Sequence, residues 1–396
     1  MRTIAFYLPQ FHEIPENDAW WGKGFTEWVN VRRARPQYGG HRQPRSPGEL
    51  GEYCLTDAKV MRRQTELAQA YDVNAFCMYF YWFDGKRVLE KPVEAWRQDN
   101  SLLPYCLSWA NESWTRRWDG KSRDVLIEQT YPEGYAEEIF FDLLPHFQAS
   151  HYVRIDDLPI LVVHRADLLP DPAGFAARLR KLAQDDGLAG LYLIAAETTH
   201  GLAPGPLGFD AVVEFPPVGC NTLRTAQLKP VSSVSADFRG RLMSYQRLCD
   251  YYTSRKPPNS FVRFRCVVPG WDNTARRQNN STVYIGSTAA SYAGWLRSAR
   301  LQELTERGQR GAVFVNAWNE WAEGAFLEPD DLYGRRYLEA TQLNSHVVEQ
   351  QASADECSYG VVWSRPQLRS LALAAAGSGL NLTRRVRLAW RRGIGS

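Results

Sequence analysis

Eight short apolar runs constrain this chain more than any other feature. They lie at 3–8 (TIAFYL), 74–80 (NAFCMYF), 103–109 (LPYCLSW), 159–164 (PILVVH), 191–196 (LYLIAA), 210–215 (DAVVEF), 263–268 (RFRCVV) and 311–317 (GAVFVNA). The runs are near-continuous rather than alternating, which suits strands covered on both faces of a parallel sheet. Helical patterns fall between several of them, at 56–71, 135–147, 171–186, 288–307 and 331–347. The third has an Asp171 cap, Pro172 at its first position and Gly187 as its stop, all standard helix punctuation. Eight strands with intervening helices predict an α/β chain folded as a (β/α)8 TIM barrel. One link is weak: 198–209 is rich in Gly and Pro and has no room for a full helix. An open α/β sheet is the alternative.

In a barrel of this type, functional groups sit where strands end at the C-terminal face. The residues found there are polar or aromatic in nearly every case. Strand 1 offers Tyr7, Gln10 and His12; strand 2 offers Tyr79, Tyr81 and Trp82; strand 3 offers Trp109, Asn111 and Glu112. His164 follows strand 4, Glu197 strand 5, Glu214 strand 6, and Trp271 strand 7. Strand 8 runs into NAWNEWAEG, which delivers Asn316, Trp318, Asn319, Glu320, Trp321 and Glu323 in close succession. The loop after strand 1 spans about 45 residues, a length that is functional or disordered when it occurs inside a compact domain. Its WWGKGFTEW stretch (20–28), ending at Trp28, argues for an ordered aromatic wall over a pocket.

Burying charge without a partner is costly, so a buried strand that ends in two acids either surfaces there or forms a site. In glycoside hydrolysis one carboxylic acid protonates the leaving oxygen while a carboxylate serves the other side of the sugar. Glu320 and Glu323 fit those roles, with neighbouring Trp and Asn to stack on the ring and bond its hydroxyls. An E-x-x-E pair also occurs on exposed helix turns, a reading that the flanking Asn and Trp oppose. The chain holds 14 Trp, 19 Tyr and 17 Phe; a Trp face suits sugar stacking and equally suits an aromatic core. Seven His show no HxH or HExxH spacing, and no GxSxG or GxxxxGK[ST] occurs. Neither a metal nor another cofactor is expected.

Net charge is +3, unevenly spread: residues 365–396 carry seven Arg and no acid. Setting those seven aside from the 47 basic residues leaves 40 against 44 acidic ones. The main body is therefore not basic, and nucleic acid is not an expected partner. Leu382, Val386 and Trp390 recur at four-residue spacing in the Arg-rich tail, a pattern suited to a short helix on an anionic inner-membrane surface. A solvated tail is the alternative. The seven Cys show no CxxC spacing, and the apolar run before Pro9, about six residues, is too short for a signal segment. No stretch approaches the roughly 20 apolar residues of a spanning helix. A cytoplasmic location, peripheral to the inner membrane if the tail binds it, is expected. The barrel pattern predicts a catalytic domain over 1–347 and a C-terminal extension over 348–396.

Four stretches, AFYLPQFHEIPENDAWWGKGFTEW, FCMYFYWFDGKRVLEKPVE, LSWANESWTRRWDG and NAWNEWAEGAFLEPDDLYGRRYLEA, together resemble the WbsX-type family of bacterial O-antigen and polysaccharide gene clusters. That family is in turn similar to glycoside hydrolase family 99. The resemblance implies a (β/α)8 barrel without a metal, acting as a retaining, endo-mannosidase-like hydrolase on an oligosaccharide or polysaccharide. By the same resemblance Glu320 is the base that deprotonates the sugar 2-hydroxyl to form a 1,2-anhydro intermediate. Glu323 is the general acid/base, and Glu112 matches a sugar-binding acid, although WANESW departs from the mannosidase pattern. WbsX-type proteins have also been predicted to be glycosyltransferases of lipopolysaccharide O-antigen biosynthesis. Transfer and non-catalytic glycan binding therefore stand beside hydrolysis.

Overall fold

The computed structural model describes residues 1–116, 121–342 and 365–377. Eight parallel strands run in chain order: β1 (Arg2–Tyr7), β2 (Ala75–Phe83), β3 (Tyr105–Trp109), β4 (Leu158–Val163), β5 (Tyr192–Glu197), β6 (Ala211–Glu214), β7 (Val262–Val267) and β8 (Ala312–Val315). Each pairs in parallel with its neighbours in sequence. β1 lies against β8, with Ala5 opposite Val315, and against β2, with Ile4 opposite Ala75. The sheet therefore closes, and the fold is a (β/α)8 barrel rather than an open sheet. Closure removes every edge that an exposed ladder would leave unpaired. Each of the eight apolar runs overlaps one of these strands, and their side chains are almost all buried. Phe6 packs on Tyr79, Phe215 and Phe314, at ring separations of 6.0, 5.1 and 5.7 Å.

Local signals set the outer helices. After α1 (Pro15–Trp21) and α2 (Glu27–Arg33) comes α3 (Ala58–Ala70), whose Asp57 cap accepts a bond from the Lys59 amide. α4 (Glu90–Gln98) and α5 (Tyr135–Phe147) follow, then α6 (Pro172–Asp185), capped by Asp171 through the Gly174 amide. Beyond α7 (Tyr245–Thr253) and the single turn α8 (Thr274–Arg277) lies α9 (Ala289–Arg307), where Thr288 and Ser291 form a reciprocal capping box. The expected helices at 56–71, 135–147, 171–186 and 288–307 are thus present. Between β5 and β6 the chain makes only a 3-10 turn, Gly205–Leu207.

One expectation needs correction. Helix α10 (Arg336–Thr341) starts later than the pattern at 331–347 implied. The Asp330 carboxylate accepts bonds from the Leu332 and Tyr333 amides, and Gly334 takes a positive φ, so the first five residues turn instead. The long loop after β1 contains α1 and α2, each of seven residues, too short to display a helical period in sequence.

Past residue 342 the described chain resumes at α11 (Arg365–Gly377). Gln367 accepts from the Val231 amide and donates to the Lys229 carbonyl, while Ser370 accepts from the Leu242 amide. Part of the C-terminal extension is therefore docked on the barrel. The 347/348 boundary and the Leu382, Val386 and Trp390 stripe lie outside the described residues. Among the described residues no helix is long and apolar enough to cross a membrane.

Replacing Thr288 with Ala removes one half of the capping box at the head of the longest helix. The expected loss is about 1 kcal/mol, read as a lower urea midpoint with the slope of the transition unchanged.

Candidate active site

The strand-8 exit shows why a buried strand ends in amides, indoles and acids: the first two classes build a scaffold and the third uses it. Asn319 is fully buried, and its side-chain amide accepts from the Leu8 N–H at 2.7 Å and donates to the Leu8 carbonyl at 3.0 Å. It thereby extends the ladder between β1 and β8 by one rung. Asn316 donates to the Pro216 carbonyl, tying the exits of β6 and β8 together.

Beneath the turn lies Glu328, buried and without a cation among the groups that bond it. Its carboxylate accepts from Trp318 Nε1 (2.9 Å), Trp321 Nε1 (2.6 Å), Tyr53 OH (2.8 Å) and Gln64 Nε2 (2.7 Å). Burial pushes its pKa up to about 7 despite these four donors. Both indoles are consequently pinned by their N–H groups, with their rings packed in the core.

The turn Trp321–Glu323 then closes on Gly324, whose φ is +60°. A Cβ there would lie 2.9 Å from that of Asp272 and 3.0 Å from its amide nitrogen, so glycine is required sterically as well as conformationally. The Asp272 amide donates to the Glu323 carbonyl at 2.6 Å. Asp272 is itself buried and accepts from His41 Nε2 at 2.7 Å and Thr274 Oγ1 at 2.6 Å. The Gln37 amide donates to His41 Nδ1 at 3.0 Å, which assigns the ring proton to Nε2.

This arrangement sets α8 beside the acids, and α8 carries the dominant electrostatic feature. Arg276 contacts three carboxylates: Glu27 at 2.9 Å through Nε, Glu320 at 3.0 Å through Nη2 and Glu323 at 2.8 Å through Nη1. Glu27 is wholly buried, the Glu320 side chain is 6% exposed, and that of Glu323 is 22% exposed. Burial raises the Glu320 pKa, to about 8; Arg276 opposes the rise, and the charges of Glu323 and Glu27 add to it. Burial raises Glu323 as well, with Arg276 opposing, Glu27 adding and Arg277 also opposing. Glu320 and Glu323 therefore titrate as a unit, and the pair holds protons above the ordinary carboxylate range.

Both acids enter one cavity of about 580 Å³, which is also lined by Gln10, Tyr79, Tyr81, Glu112, His164 and Trp271 from the expected set. Tyr79 and Tyr81 share a face of β2. Trp82, one residue on, turns outward to donate to Asp142 of α5, as strand alternation requires. Glu112 accepts from Arg165 at 2.6 Å and lies 3.7 Å from His164 Nε2. Burial holds His164 below its usual pKa, with Glu112 opposing.

The remaining expected residues do not line the cavity. Tyr7 donates to Gln64, Trp28 to the Tyr53 carbonyl and Trp109 to the Trp82 carbonyl. His12 donates through Nδ1 to the Pro9 carbonyl. Asn111 clasps the Arg165 backbone from both its amide atoms. Asn316, Trp318, Asn319 and Trp321 belong to the scaffold described above. Glu197 forms a two-pronged pair with Arg255, and Glu214 meets Arg255 and Arg265. Arg265 reaches on to Glu306 of α9, so these acids join the barrel wall to its outer helices.

Reasoning from strand ends alone did not single out Asn17, Trp21, Trp114, Arg276 or Arg277, all of which line the cavity. Trp21 and Glu27 were visible as part of the aromatic loop expected to wall the pocket, and Trp21 does line it. The one available signal for Arg276 was its place in WDNTARR, directly after the strand-7 exit.

A carboxyl group whose folded-state pKa lies above its unfolded value binds an extra proton on folding, so its contribution to stability is lost as pH rises between the two. For Glu320 that window runs from 4.5 to about 8. Glu320→Gln does not titrate. Its unfolding free energy relative to wild type is therefore expected to climb across the window, by up to about 1.4 kcal/mol per pH unit. Thermal denaturation of both proteins at pH 5 and pH 8 measures this, and a pH-independent difference contradicts it.

Residues 3–341 match the family described as Glycosyltransferase WbsX. Two curated relatives from Xanthomonas campestris pv. campestris, both called "Uncharacterized protein WxcX", are 44% identical over 342 residues. That alignment covers 86% of this chain and 49% of the relatives, so the chain spans about half of their length. Among solved structures, a "Glycoside hydrolase-like protein" aligns with a TM-score of 0.55 at 14% identity, covering 86% of this chain and 92% of its own. The GH99 endo-alpha-mannosidase from Bacteroides thetaiotaomicron in complex with BIS-TRIS-propane gives 0.49 at 13%, covering 99% and 98%. The first likeness bears on the fold, and neither bears on the chemistry. With its family match running through all eight barrel strands and the strand-8 acids, this chain belongs to the WbsX glycosyltransferase family.

Proposed function

We propose that the chain is a carbohydrate-active enzyme that cleaves a glycosidic bond in a bacterial surface polysaccharide such as an O-antigen, with retention, using Glu320 and Glu323. The observation that carries this reading is the pair itself. Both acids occupy one turn, enter one aromatic-walled cavity and have proton affinities raised by burial. Glycoside cleavage needs one acid that still holds a proton near neutral pH and a second group acting as a base. A buried pair sharing one guanidinium supports that division.

In this reading the proton that the coupled pair retains sits on Glu323, and Glu320, the more buried acid, is the base. It takes the proton of the sugar 2-hydroxyl as O2 closes on C1 and the bond from C1 to the leaving oxygen breaks. Glu323, the more open acid, gives its proton to that leaving oxygen. In the second half Glu323 takes a proton from water as the water oxygen adds to C1, the C1–O2 bond of the anhydro ring breaks, and Glu320 returns its proton to O2. Atoms and charge balance without a covalent enzyme intermediate. Arg276 holds both carboxylates through the cycle and offsets the charge that moves between them. Glu112, Tyr79, Tyr81 and Trp271 supply polar and aromatic contacts to the sugar.

Incubation with oligosaccharides from the producing organism's own surface glycan, with products read by mass spectrometry, tests the reading. Glu323→Gln and Glu320→Gln are each expected to slow cleavage about 10²- to 10⁴-fold; full turnover by both rejects it. The family description favours a second reading, transfer. Release of nucleoside diphosphate from a sugar nucleotide only when a glycan acceptor is present decides for that one. Tight glycan binding with no product, unaffected by either substitution, decides for a binder.

The proposal extends to the tail. The seven Arg of residues 365–396 suit contact with an anionic inner-membrane leaflet. The full chain is expected to sediment with anionic vesicles, and a chain ending at 377, which keeps the docked helix α11, is not. Equal pelleting removes the idea.

A further inference from the structure

Helix α1 presents Asn17 and Trp21 to the cavity, one turn apart and therefore on one face. Asn17 is only 1% exposed, yet among the described residues neither its Oδ1 nor its Nδ2 has a hydrogen-bond partner. Buried amides are almost always paired, and an unpaired one in a native fold calls for an explanation.

Slack in the helix does not supply that explanation, because α1 is held from three sides. Ile14, just before it, packs with Phe83, Val88 and Leu89 against Trp114. The Asp18 carboxylate accepts from the Gly24 amide at 2.9 Å and the Phe25 amide at 3.3 Å. Glu16 pairs with Lys86 at 2.7 Å. The fold fixes this amide at the cavity wall with its donor and acceptor both unused.

The chemistry of the pair identifies the ligand class. A side-chain amide is neutral and offers a donor and an acceptor side by side, which matches adjacent hydroxyl groups, each of which can both give and accept. An indole one turn away offers an apolar face for the C–H side of a sugar ring. We propose that Asn17 and Trp21 form a subsite for a neutral pyranose unit of the substrate, in which the Asn17 amide bonds two ring hydroxyls while the ring lies on Trp21. This rests on the carbohydrate reading of the cavity given above and adds to it the residue that selects the sugar.

The test compares wild type with Asn17→Leu, which keeps side-chain size and removes the amide. Ligand-free protein is followed by thermal unfolding. Binding is followed by calorimetry with neutral manno-, gluco-, galacto- and rhamno-oligosaccharides and with an oligogalacturonate. Without sugar, Asn17→Leu is expected to unfold at a higher temperature than wild type, since a buried unpaired group has gone. With the neutral oligosaccharides that wild type binds, affinity is expected to fall about 10- to 100-fold. If the Leu variant does not fold, Asn17→Ala carries the binding readout.

Unchanged affinity overturns the subsite while leaving the proposed function standing, as does a lower unfolding temperature in both variants. Tighter binding of the oligogalacturonate than of every neutral chain overturns the neutral class. A wild-type protein that binds none of these probes overturns the carbohydrate reading, and the subsite with it.

Discussion

One guanidinium among three carboxylates is the constraint from which the rest of the site follows. Glu27, Glu320 and Glu323 approach from a loop helix and from the strand-8 turn, and Arg276 meets all of them. Away from bulk water this attraction is strong, but so is the cost of desolvating each ion, and a single positive charge does not offset three negative ones. The cluster answers by retaining protons on the Glu320–Glu323 pair. The same arithmetic underlies the proposed function, in which an acid and a base side by side move protons at a sugar centre. Removing Arg276 would leave the three carboxylates without the cation they share.

Such a cluster keeps its geometry only if the backbone carrying it is held elsewhere. Here the holding is done largely by neutral groups. Glu328 takes four hydrogen bonds from two indoles, a phenol and an amide, while Asn319 substitutes for a strand residue against Leu8. On the other side, Asp272 and His41 fasten the strand-7 exit to the first loop and so position α8. A buried carboxylate satisfied by neutral donors adds no cation that would compete with Arg276 for Glu320 and Glu323. Scaffold and site are thus chemically separate although their residues alternate in sequence.

The reading from sequence succeeded where the physics was local. Near-continuous apolar runs marked all eight strands, because a strand covered on both faces has little polar side to display. The Asp171 cap, with Pro172 and Gly187, marked α6, because a helix start must satisfy its first amides wherever it occurs. Short helices α1 and α2 escaped, having too few turns to show a period. At the strand ends the reading was too generous. Trp82, Trp109 and Tyr7 have the right composition and lie in the right place, but strand alternation sends them to the outer helices. Glu197 and Glu214 looked available, yet their partner Arg255 lies 58 and 41 residues away.

From its sequence alone this chain was set to form eight strands and to deliver two carboxylates at the end of the last, while the pairing of β1 with β8 decided closure over an open sheet. Pattern and spacing are properties of neighbours along the chain, and they suffice for that. Which acids stay uncommitted, which cation they share, and which amide is left unpaired at the cavity wall depend on groups brought together from opposite ends of the polypeptide. Arg276 is 249 residues from Glu27 and 44 from Glu320. Charge and hydrogen-bond satisfaction are settled across space, so only the tertiary fold could decide them.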